Sequence, residues 1–283
     1  MEIYKLGSKG EEVRRIQERL KALDYYNGLI DGDFGKGTEA AVKAFQKAEK
    51  LDIDGKVGSK TWKALFNEEM IDPSININRT IRLEDKDYIR SETQKDLIVL
   101  HHTVGATAIS TINYWKTDPQ RIATAYIIER NGVAYEIFDP KFWAFHLGLK
   151  GTSGAVDKRS IGIEIASEGG LIQRDGNLYC FDKVSDRTLF LGEYYDHGMP
   201  WRGYRFFDAY SDAQIEAVIK LINVLCTQYR IPRQTSANHF DADDCYRGFT
   251  GILGHHHLRP DKSDIHPGLP WQRVIDECKL ELV

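Results

Sequence analysis

Residues 97–102 read LIVLHH, four apolar side chains that end on two histidines. A short apolar run bounded by polar sequence is expected as a strand buried on both faces. The exposed end of such a strand is a rigid mount for a ligand. A second histidine run lies far along the chain, where residues 254–264 read GHHHLRPDKSD and place Lys262 and Asp264 behind three histidines. Neutral imidazole and carboxylate are ordinary ligands of a catalytic zinc, which takes three protein groups and leaves a fourth position open. A single loop histidine is most often solvated. Two clusters with a nearby carboxylate point instead to a metal centre assembled from distant segments.

The sequence around LIVLHH supports a sheet. AYIIE (125–129) and VAYEIF (133–138) flank Asn131-Gly132, a strong hairpin signal, and SIGIEIA (160–166) is a further strand-like run. ISTINYWKTDPQ (109–120) reads as a short helix between the first two runs. The clearest helix is SDAQIEAVIKLINVLCTQYR (211–230). Ser211 and Gln214 have capping-box spacing, Ile215, Val218, Ile219, Ile222, Leu225, Cys226 and Tyr229 form one apolar stripe, and Pro232 closes it. PWQRVIDECKLEL (270–282) is expected as a C-terminal helix packed on the same sheet. The mixture predicts an α+β domain, a mixed central sheet flanked by helices. Residues 167–210, rich in Tyr, Phe, Gly and Asp, show no clean period. They are expected as an insertion, either facing a substrate with exposed aromatics or packing its own side chains.

Composition excludes several classes. The 283 residues carry 42% hydrophobic and 28% charged side chains, which is ordinary globular material. A net charge of -4 and a pI near 6.2 give no general basic surface for nucleic acid. No apolar run is long enough to span a bilayer, so no membrane insertion is expected. The opening MEIYKLGSKGEE lacks a signal-peptide core, and the chain is expected to stay in the cytoplasm where it is made. Cys180, Cys226, Cys245 and Cys278 form no CxxC pair, which fits a reduced protein.

Residues 1–67 form a separate module with an internal repeat. DGDFGKGT (31–38) and DGKVGSKT (54–61) both read DGxxGxxT, and each leads into a helical pattern with Thr38 or Thr61 expected as its N-cap. With Val13, Ile16, Gln17 and Leu20 at helical spacing ahead of them, three helices are predicted, packed on Val13, Ile16, Leu20, Val42, Phe45, Trp62 and Leu65. LGSKGEEVRRIQERLKALDYY (6–26), DGDFGKGTEAAVKAFQ and DGKVGSKTW together resemble the peptidoglycan-binding domain of cell-wall hydrolases. That resemblance implies a shallow groove in which Tyr25, Tyr26 and Phe34 contact sugar or stem peptide. Residues 68–92, polar and containing Pro73, are expected as a linker and approach to the second domain, which takes 93–283.

Four motifs in that second domain, LIVLHHT, AYIIERNGVAYEI, WAFHLG with SIGIEI, and GHHHLRPDKSD followed by Trp271, resemble the zinc-dependent N-acetylmuramoyl-L-alanine amidases of the type 2 fold. Adjacent strand residues point to opposite faces, so His101 and His102 are not both ligands of one ion. The resemblance implies His101 and, directly after Gly254, His255 as ligands, with His256 as the rival. For the third ligand it implies Asp264, two residues after Lys262. His266, before Pro267, stays open. The resemblance further implies Glu164 as general acid/base, Lys262 as the charge facing the oxyanion, and His146 at the substrate cleft. Thr124 stands where another branch has a catalytic tyrosine, so Tyr126 is read as a strand residue.

The implied activity is zinc-assisted hydrolysis of the amide between N-acetylmuramic acid and L-alanine in peptidoglycan. The rivals are a recognition protein that binds without cutting and a zinc endopeptidase of the stem peptide. A wall-binding module and no signal sequence lead to the expectation of a phage or prophage endolysin released at lysis.

Overall fold

A computed structural model describes residues 3–66, 75–105, 107–181 and 188–283. The chain divides into two compact units, Met1–Ser74 and Ile75–Val283.

The first unit is the expected three-helix module: α1 (Glu11–Ala22), α2 (Lys36–Ala48) and α3 (Ser59–Phe66). All seven expected core residues are buried, together with Tyr4, Phe34, Ala41 and Val57. Phe34 is therefore a core residue and offers no surface to a ligand. Tyr25 packs edge-on against Phe45, and the Tyr26 hydroxyl donates to the Leu29 carbonyl at 2.8 Å. The repeat is held by two buried glutamines rather than by threonine caps. Gln17 Nε2 donates to Asp31 Oδ1 (2.8 Å), the Asp33 carbonyl (3.0 Å) and Thr38 Oγ1 (3.2 Å), while its Oε1 accepts from the Gly32 amide (2.9 Å). Gln46 repeats the pattern with Asp54, Lys56, Thr61 and Gly55. Thr38 and Thr61 lie inside their helices as acceptors. Gly32 and Gly55 adopt φ of 77° and 73°, a conformation that costs an L side chain about 1 kcal/mol or more.

Among its described residues the second unit contains twelve strands in two sheets. The larger sheet uses β1 (Ile77–Asn78), β2 (Leu97–His102), β3 (Tyr126–Ile128), β4 (Ala134–Glu136), β5 (Ser160–Ile165), β10 (Gln234–Thr235), β11 (Gly251–Gly254) and β12 (Glu281–Leu282). Its order is β1-β4-β3-β5-β2-β11-β10-β12. All pairs are parallel except the β3–β4 hairpin, which turns at Asn131-Gly132 as expected. Every residue of β2 is buried, as a central strand covered on both faces must be. Residues 75–92 belong to this unit: β1 pairs with β4, and the Leu83 amide donates to the Ile137 carbonyl. Pro73 lies outside the described residues.

Helices α4 (Ala108–Trp115), α5 (Ala155–Arg159), α6 (Asp212–Tyr229), α7 (His255–Leu258) and α8 (Trp271–Cys278) complete the unit. Ser211 and Gln214 form the expected capping box at the start of α6, and α8 packs against α6. Residues 167–210 showed no clean period in the sequence and were read as an insertion, either substrate-facing or packing its own side chains. Their described part builds a four-stranded antiparallel sheet, β7-β6-β9-β8, from β6 (Gly170–Arg174), β7 (Asn177–Cys180), β8 (Tyr194–Trp201) and β9 (Tyr204–Asp208). Among the described residues all four cysteines are free, and no helix is long and apolar enough to cross a membrane.

Candidate metal centre

Parallel register puts residues that face one another across β2 and β5 on the same side of the sheet. His101 lies opposite Glu164, Val99 opposite Gly162 and Leu97 opposite Ser160. One face of SIGIEI therefore carries Ser160, Gly162 and Glu164, and the other buries Ile161, Ile163 and Ile165 in the core. Gly162 is small for a reason. A Cβ there would come within 2.6 Å of Thr124 Cγ2 and 3.0 Å of His146 Nδ1.

His101 from β2, His255 from the start of α7 and Asp264 six residues beyond that helix bring their ligand atoms within 4.8 Å of one another. Asp264 Oδ2 lies 3.0 Å from His101 Nδ1 and 2.9 Å from His255 Nδ1. Two ligands on a tetrahedral ion at about 2.0–2.1 Å stand roughly 3.3 Å apart, close to the observed spacing. A tautomer argument strengthens the fit. His255 Nε2 sits 2.9 Å from the Leu147 carbonyl, which can only accept, so that nitrogen carries the hydrogen. A neutral His255 then presents a bare Nδ1 lone pair to a carboxylate oxygen. A cation between them turns this repulsive contact into an attractive one.

Electrostatics point the same way. Burial, with help from His255, pushes His101 down to about 4, so its ring is neutral at pH 7. Burial alone would raise the Asp264 carboxyl, but its interactions with the His255 and His101 side chains outweigh it and hold Asp264 well below the carboxylate range. Two neutral imidazoles and one carboxylate suit a divalent ion.

Glu164 lies opposite His101 in the β2–β5 pairing, and both residues feel the charge of Lys262. Glu164 Oε2 is cut off from solvent without a hydrogen-bond partner among the described residues. Burial raises its carboxyl well above the ordinary value and the Asp264 charge adds to the rise, while Lys262 is near enough to oppose it. His146 has both ring nitrogens occupied, Nδ1 at 2.9 Å from His101 Nε2 and Nε2 at 2.7 Å from Ser160 Oγ. Its contacts are thus with the centre's own scaffold.

The remaining histidines are elsewhere. His102 faces away from His101, with its Nδ1 at 3.4 Å from the Tyr210 hydroxyl. The His266 ring is stacked against Tyr210 (4.2 Å) and Phe207 (5.0 Å) on that far side, apart from the His101, His255 and Asp264 cluster. His256 meets the His239 carbonyl at 2.8 Å, and His257 Nδ1 accepts from the Gly254 amide at 3.0 Å. Tyr126 is a buried strand residue, as expected. Ser160, Asp157 and Gly162 did not stand out in the sequence. A glycine between isoleucines of a central strand was the available signal, because it marks close approach by another group.

A cleft of about 660 Å³ opens where the insertion sheet meets the 238–246 segment. Trp201, Arg202, Phe240, Asp243, Tyr246 and Pro260 are among its walls. Trp201 also packs edge-on against His256 of α7, 5.2 Å between ring centres, so the insertion reaches the helix that carries His255.

Comparison with known proteins gives two matches to protein families. Residues 9–65 match the putative peptidoglycan binding domain, and residues 91–268 match N-acetylmuramoyl-L-alanine amidase. The chain is similar to a spore cortex-lytic enzyme of Bacillus cereus, 38% identical over 73 residues. That alignment takes in 26% of this chain and spans only 28% of the length of the relative. Among solved structures it is similar to the SleB N-terminal domain, with 39% identity, 23% of this chain and 90% of that one covered, and a TM-score of 0.23. It is also similar to PlyL, with 14% identity, 71% of this chain and 96% of that one covered, and a TM-score of 0.43. The match at 91–268 extends over more than half the chain and takes in every residue of the metal cluster, and the chain belongs to the N-acetylmuramoyl-L-alanine amidase family.

Proposed function

We propose that this protein is a zinc-dependent peptidoglycan hydrolase that cleaves the amide between the lactyl group of N-acetylmuramic acid and L-alanine. The observation that carries the reading is the convergence of His101, His255 and Asp264 beside a buried Glu164 oxygen with no hydrogen-bond partner among the described residues. A zinc ion held by those three residues supplies Lewis acidity toward the amide carbonyl and lowers the pKa of water. The protein's own groups do the rest. Glu164, its carboxyl raised by burial, takes a proton from the attacking water and returns it to the departing L-alanine nitrogen, so the carboxylate ends as it began. Lys262 sets its positive charge where the carbonyl oxygen gains negative charge. Asp264 would be the one anionic ligand of the three.

The cleft beside Trp201 supports the substrate-facing reading of the insertion. Aromatic faces stack on sugar rings, and Arg202 offers a cation to peptide carboxylates. The N-terminal module keeps the enzyme on an insoluble polymer, which raises the local concentration of scissile bonds. We place its action at the bacterial cell wall, in the manner of an endolysin.

Mass spectrometry of digested wall tests the reading. Intact stem peptides with free L-alanine amines are the expected products. Fragments cut within the stem would mean an endopeptidase, and binding without release would mean a recognition protein.

A further inference from the structure

We infer that Asp157 and Ser160, at the turn from α5 into β5, are positioning residues that orient both histidines of the metal cluster. The inference rests on the metal reading proposed above. Asp157 is buried, and its Oδ1 accepts from the backbone amides of His146 (2.9 Å) and Leu147 (3.0 Å). One carboxylate oxygen thereby fixes two groups that touch the ligands. The His146 ring rests on His101, and the Leu147 carbonyl, which also accepts from Arg259 at 3.4 Å, rests on His255. Ser160 closes the arrangement. Its Oγ lies 2.7 Å from His146 Nε2 and 3.2 Å from the Asp157 carbonyl oxygen.

Hydrogens along this chain run one way once His101 Nδ1 is a ligand. His101 then carries its hydrogen on Nε2 and donates to His146 Nδ1. His146 is protonated on Nε2 and donates to Ser160 Oγ, whose own hydrogen goes to the Asp157 carbonyl. Every donor meets an acceptor, and the chain ends on a group that can only accept. The opposite direction uses the same three hydrogens. Ser160 donates to His146 Nε2, His146 Nδ1–H to His101 Nε2, and His101 Nδ1–H to Asp264, which closes the metal position with a proton. In that direction the Asp157 carbonyl loses the serine hydrogen. The Ser160–Asp157 contact therefore favours the direction that leaves His101 Nδ1 open. Outer groups that fix a ligating imidazole in this way govern metal affinity, and their loss typically weakens it 10- to 100-fold.

The test uses the full-length protein. Zinc affinity, measured by competition with a chromophoric chelator, falls roughly 10- to 100-fold in Ser160→Ala. Ser160→Thr restores the hydroxyl at a strand position that accepts a β-branched residue, and most of the affinity returns. In the zinc-loaded wild type, two-bond ¹H–¹⁵N spectra show His146 as the neutral Nε2–H tautomer, a readout that needs no variant to fold. Wild-type protein that binds zinc with His146 as Nδ1–H, or Ser160→Ala protein with wild-type affinity, overturns the inference and leaves the metal reading standing. A wild type that binds no zinc overturns both.

Discussion

Glu164 shows how environment assigns chemistry to one residue. Its carboxyl is raised by burial and by the Asp264 charge, so at neutral pH it sits nearer its titration point than a surface glutamate does. As pH falls through that raised value the base is lost, so the acid limb of the pH–rate profile lies above the ordinary carboxylate range. Glu164→Gln should lower kcat by about 10²- to 10⁴-fold and abolish that limb while metal content stays unchanged. Ligand identity is separable by metal analysis. His101→Ala, His255→Ala and Asp264→Ala should each purify with little bound zinc, and His266→Ala should keep it, since that ring is packed against Tyr210 and Phe207. The three candidate ligands were legible as residue types at two places in the sequence, but the choice between His101 and His102 was not. Both faces of LIVL are apolar, so alternation alone cannot say which side of β2 looks toward Asp264. Asp157 and Ser160 were invisible for a different reason. Asp157 acts on the backbone amides at 146–147 and Ser160 on the His146 ring and the Asp157 carbonyl, and hydrogen bonding between segments distant in sequence leaves no mark on composition.

At the scale of elements, periodicity decided what the sequence revealed. Helices α1, α2 and α6 and strands β2 and β5 followed from apolar spacing, because each buries one continuous stripe or a whole strand. The insertion sheet did not. Most of β8 is exposed, and its pairing with β9 is interrupted between Asp196 and Trp201, so no two-residue pattern survives in the sequence. The threonines of DGxxGxxT were misread as caps because their true partners, Gln17 and Gln46, lie on preceding helices rather than in the motif. That correction has an energetic consequence. Gln46→Leu leaves the Gly55 amide, Asp54 and Thr61 without their shared partner, and the first unit should lose about 2 to 4 kcal/mol, given 1–3 kcal/mol per buried group left unpaired. Native-state hydrogen exchange at the Phe45 and Trp62 amides reads that loss directly.

For the molecule as a whole, the metal cluster, Glu164 and Lys262 all lie within Ile75–Val283. A protein lacking residues 1–74 should therefore keep its zinc stoichiometry and hydrolyse soluble muramoyl peptides at unchanged kcat/KM. Its rate on sedimentable wall should drop, because only the tethered form is held at the polymer. The pairing of β2 with β5 carries one more consequence. Glu164 and His101 are direct partners across a buried parallel ladder, so their separation is set by interstrand hydrogen bonds and no hinge can adjust it. A slip of one rung would offer an isoleucine instead of an acid. Competence is consequently all or none in each molecule. In moderate urea the total rate should decline in proportion to the surviving folded population, while the turnover of each survivor, counted by active-site titration, holds constant until the last of them melts.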